Sequence, residues 1–286
     1  MCALVLTALI VALHVYRATR AGGLWRDEVG TVNTATMPSM PALWASLAHS
    51  TPPALPYLVV RLWSVVLALG TSDASLRLLG ALEGVGLLLA LWIGRFLLGS
   101  WVPMLSLALL ALNPTILIWG DSPRGYGLGA AWIVLAYGAL FRALRAPSGG
   151  RVALAAVMAI LAVQSVFENT PLLLAFGVAG CVWCLSLGLW RRALLSLGIG
   201  ALAALTLLPY VPIVTDYRAH DIVVPSAFRF SRVGGRVLAA MGARSAWLTG
   251  GWIVAATAAV IGAVRLAMAR GRSDREPDPR ATLFHV

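Results

Sequence analysis

Apolar residues fall along the 286-residue chain in nine long blocks, at 1–16, 53–69, 78–98, 102–119, 127–141, 152–166, 172–189, 193–214 and 247–268, with short connections between most of them and longer ones at 17–52 and 215–246. Most approach the ~20 residues that a helix needs to cross roughly 30 Å of hydrocarbon. Stretches such as 87–91 and 107–112 are apolar on every side, whereas a barrel strand would alternate polar with apolar positions. The pattern therefore predicts helices in lipid.

The block at 53–69 breaks the pattern. It opens on Pro53 and Pro56, directly after Pro52, and carries Arg61 near its centre. An arginine at mid-bilayer costs about 2.5 to 3.5 kcal/mol on insertion scales. The block reads better as a helix lying in the interface, anchored by Tyr57 and Trp63. The expected fold is thus an all-α polytopic transmembrane helical bundle of about eight spans, with interfacial helices in the first external loop. Residues 1–214 form the membrane module, 215–246 an external loop, 247–268 the last span, and 269–286 a polar cytoplasmic tail with the composition of a disordered segment. The first block has no basic stretch before it and no small-residue cleavage site before Arg17, so it reads as an anchor rather than a signal peptide. No internal repeat is visible.

Composition agrees with a bilayer as solvent. Hydrophobic residues make up 60% and charged residues 12% of the chain, too little polar surface for a water-soluble fold of this length. The formal charge is +11 and its positive side is wholly arginine, with no lysine anywhere. Two readings of the arginines stand: a positive-inside bias with contacts to anionic headgroups, or a set of phosphate ligands. No aromatic-interleaved basic groove appears, which argues against nucleic acid as a partner. Cys2, Cys181 and Cys184 have no ligand spacing, and the last two sit beside Trp183 in an apolar block as small buried residues.

With 53–69 out of the spanning set, Arg142, Arg145, Arg151, Arg191, Arg192 and the tail fall on one side, which the positive-inside rule makes cytoplasmic. The other side receives the loop at 17–77, the turns at Asp121 and Glu168, and the loop at 215–245. Arg17, Arg20, Arg26, Arg218, Arg229, Arg232, Arg236 and Arg244 lie on that external side, against the rule, and need a lipid or a function of their own.

Candidate chemistry gathers on the same side. Asp27 and Glu28 are adjacent carboxylates just after the first helix, readable as solvated surface charge or as a catalytic pair. Asp121 lies in the turn Trp119-Gly120-Asp121-Ser122-Pro123-Arg124-Gly125-Tyr126. A carboxylate to take a proton from an acceptor hydroxyl, with a guanidinium to meet a leaving phosphate, is the set that sugar transfer requires. Glu83 sits inside a span, where an ionisable group is a functional candidate or a buried group paired with Arg77 or a polar neighbour. His14, His220 and His285 show no ligand spacing.

The strings Leu24-Trp25-Arg26-Asp27-Glu28, Thr51-Pro52-Pro53-Ala54-Leu55-Pro56-Tyr57 with Arg61 and Trp63, Ser75-Leu76-Arg77-Leu78, and Leu112-Asn113-Pro114 with Arg124-Gly125-Tyr126 occur in that order over the first 145 residues. Together they resemble the module of family 39-type glycosyltransferases, relatives of the protein O-mannosyltransferases in the membrane class called GT-C. The resemblance implies that the first external loop holds the catalytic acid, that the second external turn shapes the pocket, and that the donor is a polyprenyl-phosphate sugar. Members are usually longer, and their second turn often has glutamate or glutamine where this chain has Asp121.

The resulting expectation is an inverting transfer at the external face, to a glycan, lipid or protein acceptor. Asp27 is the base, with Glu28 and Asp121 beside it. Arg124, Arg61 and Arg232 are the phosphate ligands, and Tyr126, His49 and Glu168 line the pocket. No cofactor is specified by these residues, and a magnesium or manganese ion on the three acids is left open. The rival readings are a transporter or lipid-flipping protein with Glu83 on its path, and a non-catalytic scaffold.

Overall fold

The computed structural model describes residues 1–50, 53–99, 103–219, 234–235, 237–239, 241 and 245–270. Every regular element among them is helical. In chain order these are α1 (Cys2–Arg20), α2 (Arg26–Ala35), α3 (Met40–Ser46), α4 (Leu55–Arg61), α5 (Asp73–Leu98), α6 (Met104–Ser106), α7 (Pro114–Trp119), α8 (Tyr126–Arg145), α9 (Gly149–Ser165), α10 (Asn169–Ser186), α11 (Trp190–Leu205), α12 (Val211–Ala219) and α13 (Ala246–Arg270).

Five stretches are long and apolar enough to cross a membrane: α1, α5, α8, α10, and the run Trp190–Thr215 that begins with α11. Three more apolar helices are shorter: Leu55–Val66, Gly149–Ser165 and Ala246–Gly262. Many large apolar side chains point outward, among them Leu9, Leu89, Phe96, Leu174, Val182, Leu194 and Val254. Exposed belts of this kind on long apolar helices are the surface of a membrane protein, where lipid replaces water and each backbone bond closes within its own helix. Between the helices the contact residues are small. Ala136, Ala139, Ala143, Ala155, Ala159, Ala162 and Ala203 fill the core of α8 to α11, letting the backbones approach closely where lipid supplies no hydrophobic drive.

The block at 102–119, expected as one continuous span, is broken. α6 passes into a π-helical stretch, Leu107–Ala111, and the chain restarts as α7 at Pro114. Proline has no N–H to donate, and it drives the preceding residue out of the helical region. Asn113 accordingly sits at φ −65°, ψ 124°, and its Oδ1 accepts the Thr115 N–H at 2.9 Å as a new N-cap. α7 has no fully buried residue, and Ile116 and Leu117 are the side chains by which it packs on the core clusters.

α5 and α8 pack in parallel, Gly127 approaching Glu83 at one end and Gly138 approaching Leu97 at the other, while α9 returns antiparallel on α8 and α11 on α10, which sorts the connections to two ends. One end carries the arginine-rich turns. There the Arg192 Nη1 donates to the Leu144 and Arg145 carbonyls, both at 3.1 Å, and the Arg151 Nη1 to that of Ala146 at 2.7 Å. These guanidiniums close the C-terminus of α8, where unpaired carbonyls favour a cation. The other end, the mouth, gathers α2 to α4, the turn at 120–125, the turn at 166–168, and Tyr210. The Tyr210 hydroxyl accepts the Ala54 N–H at 3.1 Å and donates to Gln164 Oε1 at 2.8 Å, while its ring stacks on Trp44 with centroids 5.3 Å apart. A buried apolar cluster with Val32, Leu43, Leu47, Tyr57, Val60 and Leu76 seats these loop helices on the bundle.

Candidate functional site

The mouth is organised by Glu28. As the third residue of α2 it turns back to accept the Trp25 N–H at 3.1 Å, which satisfies an amide the helix itself leaves unpaired. Its other oxygen accepts Arg77 Nη1 from α5 at 3.0 Å and Ser122 Oγ from the turn at 2.9 Å. Arg77 also donates to the carbonyls of Gly22, at 3.3 Å, and Gly23, at 2.8 Å. One buried carboxylate thus ties the first loop, α5 and the second turn together. The Leu24 N–H, 3.4 Å from Asp73 Oδ1, adds a second contact to the start of α5.

Below this lies a second polar group. The turn at 120–125 packs against α5 only because residues 80 and 84 are glycine. A Cβ at 80 would collide with the Asp121 carbonyl, and one at 84 with the Asp121 carboxylate and, at 2.7 Å, the His14 ring. Asp121 Oδ1 is hydrogen-bonded to His14 Nδ1 of α1, and its Oδ2 is buried without a partner. Glu83 is buried beside them. The Leu128 N–H and Asp121 are its electrostatic neighbours, but neither of its oxygens makes a hydrogen bond of good geometry.

The accessible chemistry is at Asp27 and Arg124. Arg124 Nη1 donates to Asp27 Oδ2 at 3.0 Å, and the Asp27 side chain stays 44% exposed, within reach of a ligand. Arg124 is held between the Trp25 and Tyr126 rings, 5.9 and 5.4 Å from its guanidinium carbon, and Trp119 packs edge-on against both rings. Arg124 and Tyr126 form the wall between two cavities. On one side a cleft of about 370 Å³ between α7 and α8 is lined by Thr115, Ile116, Trp119, Gly120 and Ala130. On the other a pocket of about 40 Å³ is lined by Thr31, Pro53, Pro56, Tyr57, Ser165 and Glu168, among others. The first is mostly apolar and the second largely polar.

The residues expected at the site therefore divide. Arg124, Tyr126 and Glu168 line one opening, Asp27 is joined to it through its ion pair with Arg124, and Glu168 is exposed at the start of α10 and makes no side-chain cap. Glu28 and Asp121 reach the same end of the bundle but are buried, Glu28 in its hydrogen bonds and Asp121 against His14. Arg61 is spent elsewhere: its Nη1 donates to the Ala35 carbonyl at 3.0 Å and the Met37 carbonyl at 2.6 Å, closing the end of α2. His49 is an exposed residue of a 3-10 turn after α3 and lines neither cavity. Arg232 lies outside the described residues.

Glu83 does not pair with Arg77, whose partner is Glu28. A separation of six residues puts the two side chains on different faces of α5, since neighbours on a helix lie three or four apart. Three contributors have a role that the sequence did not assign them: His14, Ser122, and Arg77 as the partner of Glu28. Helical spacing alone could have removed Arg77 from Glu83. Nothing local announces that His14 meets a residue 107 positions away.

The three acids do not make a common ligand set for a cation. Glu28 is occupied by Arg77, Ser122 and Trp25, Asp121 faces His14, and among the described residues no three histidine, cysteine or acidic side chains are gathered to hold a metal. Comparison with known proteins adds no relative: no family model, curated protein or solved structure matches the chain.

Proposed function

We propose that this chain is a membrane glycosyltransferase that moves a sugar from a polyprenyl-phosphate-linked donor to an acceptor hydroxyl at the external membrane face. The observation that carries the reading is the Asp27–Arg124 pair, set where an apolar cleft open toward lipid meets a polar pocket. The prenyl chain lies in the cleft against Ile116, Trp119 and Ala130. Its phosphate meets Arg124, and the acceptor enters past Glu168 and Thr31. In this reading α9, α13 and the broken 104–119 stretch complete about eight spans, and the loop helices lie in the interface.

The transfer is a single displacement. The acceptor oxygen attacks the anomeric carbon while Asp27 takes its proton, and the bond from that carbon to the phosphate oxygen breaks. The electron pair leaves with the phosphate, so the leaving group needs positive charge rather than a proton. Arg124 has five N–H donors and gives one to Asp27, leaving a fork free for phosphate oxygens. The aromatic rings on either side fix that fork in advance, which spares reorganisation in the transition state. The test is transfer from a panel of labelled polyprenyl-phosphate sugars by the full chain in sealed proteoliposomes, with donor and acceptor supplied to one side at a time. Transfer from none of the panel, by protein that is folded and inserted, would defeat the proposal.

One observation favours a transporter instead: the broken stretch before α7 and the unpaired Glu83 below it resemble the discontinuous helices that line translocation paths. Glu83→Gln separates the two. It leaves sugar transfer within about threefold of the parent in the first reading and abolishes transport in the second.

A further inference from the structure

α7 is a ridge with a cleft on each face. Thr115, Ile116 and Trp119 line the cleft that leads to Arg124. Pro114, Leu117 and Ile118 line another, of about 360 Å³, closed on its far side by Leu13, Tyr16, Arg17, Arg20 and Ala21 of α1 and the residue after it. The alternation follows helical geometry, positions 115, 116 and 119 sharing one face and 114, 117 and 118 the other. Both clefts are mainly apolar, and both end in guanidinium. They differ in charge. Arg124 is partly neutralised by Asp27, whereas neither Arg17 nor Arg20 has an acidic partner among the described residues.

The second cleft is prepared for an anion. Arg17 Nε is buried with no hydrogen-bond partner, a donor left without an acceptor. Arg20 lies over the Tyr16 ring at 5.7 Å, and both arginines line the one groove. From this we infer that the α1–α7 cleft binds a prenyl phosphomonoester, the carrier lipid left after the sugar has gone. The inference rests on the transferase reading for the identity of that lipid. The charges match. A sugar-bearing phosphodiester carries one negative charge, suited to a single arginine already shared with an acid, while a phosphomonoester approaches two near neutral pH and calls for two unshared arginines. Because Pro114, Thr115, Ile118 and Trp119 leave the outer side of α7 exposed, a lipid tail can pass around it through the bilayer from one cleft to the other.

The experiment uses the full chain in phosphatidylcholine nanodiscs and a diazirine-bearing farnesyl phosphate. Photolabelled peptides are mapped, and competition is measured with farnesyl methyl phosphate, farnesol and phosphatidylglycerol. Labelling is expected in 13–21 and 114–118, displaced at least tenfold better by farnesyl phosphate than by the methyl diester or phosphatidylglycerol. R17Q/R20Q is expected to weaken it by about tenfold or more. L13W, which fills the groove and leaves both charges in place, gives the same loss and covers the case in which the double variant fails to fold. Equal competition by phosphatidylglycerol would make the cleft a general anionic-lipid site and overturn the inference, as would labelling indifferent to all these changes. Sugar transfer measured in parallel keeps the two ideas apart. Active protein without monoester labelling in the cleft defeats this inference alone, and labelling by protein inactive toward every donor defeats the transferase reading while the site stands.

Discussion

Glu28 can be tested as the residue that holds the mouth together by Glu28→Gln, which keeps its shape and removes its charge. Oε1 accepts two donors, from Arg77 and Ser122, so the glutamine carbonyl belongs there, which turns its NH2 toward the Trp25 N–H and sets donor against donor. The variant then loses the helix-start hydrogen bond and the charge opposite Arg77. Hydrogen bonds to charged groups contribute about 1.5 to 3 kcal/mol, and breaking a fully buried pair by removing one partner costs about 3 to 5. Arg77 keeps the Gly22 and Gly23 carbonyls and is partly exposed, so the cost lies between those two figures, about 2 to 4 kcal/mol. The assay is native-state hydrogen exchange at residues 24–28 in nanodiscs, because local opening is read there without global unfolding. At tenfold per 1.4 kcal/mol, exchange should quicken roughly 30- to 700-fold. The double variant Glu28→Gln/Arg77→Gln should be less damaged than the sum of the single changes, by about 1 to 3 kcal/mol. Exchange within threefold of the parent, or strictly additive changes, would refute the role given to this carboxylate.

Three further outcomes follow from the same geometry. Asp27→Asn should lower turnover by about 10² to 10⁴, with donor binding retained, in single-turnover transfer assays; near-normal turnover would move the base elsewhere. Arg124→Lys keeps the charge but loses the fork and the stacking between Trp25 and Tyr126, so donor KM should rise by about tenfold or more while acceptor KM and the far-ultraviolet circular dichroism stay unchanged. Gly80→Ala puts a methyl group against the Asp121 carbonyl and should destabilise by about 1 to 3 kcal/mol, whereas Gly30→Ala, with open space around it in α2, should stabilise by a few tenths to about 1 kcal/mol; scanning calorimetry in detergent should give shifts of opposite sign.

The helical class and the membrane were legible in the sequence because both follow from local runs of apolar residues. The prolines and Arg61 of 53–69 are local signals too, and the helix formed there, Leu55–Val66, is one of three shorter apolar helices among the described residues. The break before α7 was readable in principle from Asn113-Pro114, but the apolar run on either side masked it. The position of Asp27 and Arg124 at one end followed from counting spans, whereas their direct pairing did not, because a turn and a loop separated by 97 residues carry no mutual register in the sequence. Arg61 shows the same limit from the other side. Its cost in a bilayer was evident, but the carbonyls at the end of α2 that occupy it are backbone groups, invisible to any reading of side-chain types.

The Tyr210 hydroxyl has a consequence for biogenesis. The Ala54 amide that it accepts lies 156 residues earlier in the chain, so the first loop leaves the ribosome long before its seat exists. At about 5 to 20 residues per second, this interval is roughly 8 to 30 s. Through it the N–H of Ala54 and the ring of Trp44 are without their native partner, and the seat of α2 to α4 on the bundle, begun by Arg77 and Ser122, stays incomplete. Insertion of α1 and α5 therefore comes first and closure of the mouth last, with the arrival of Tyr210 as the step that couples the two halves of the chain during synthesis.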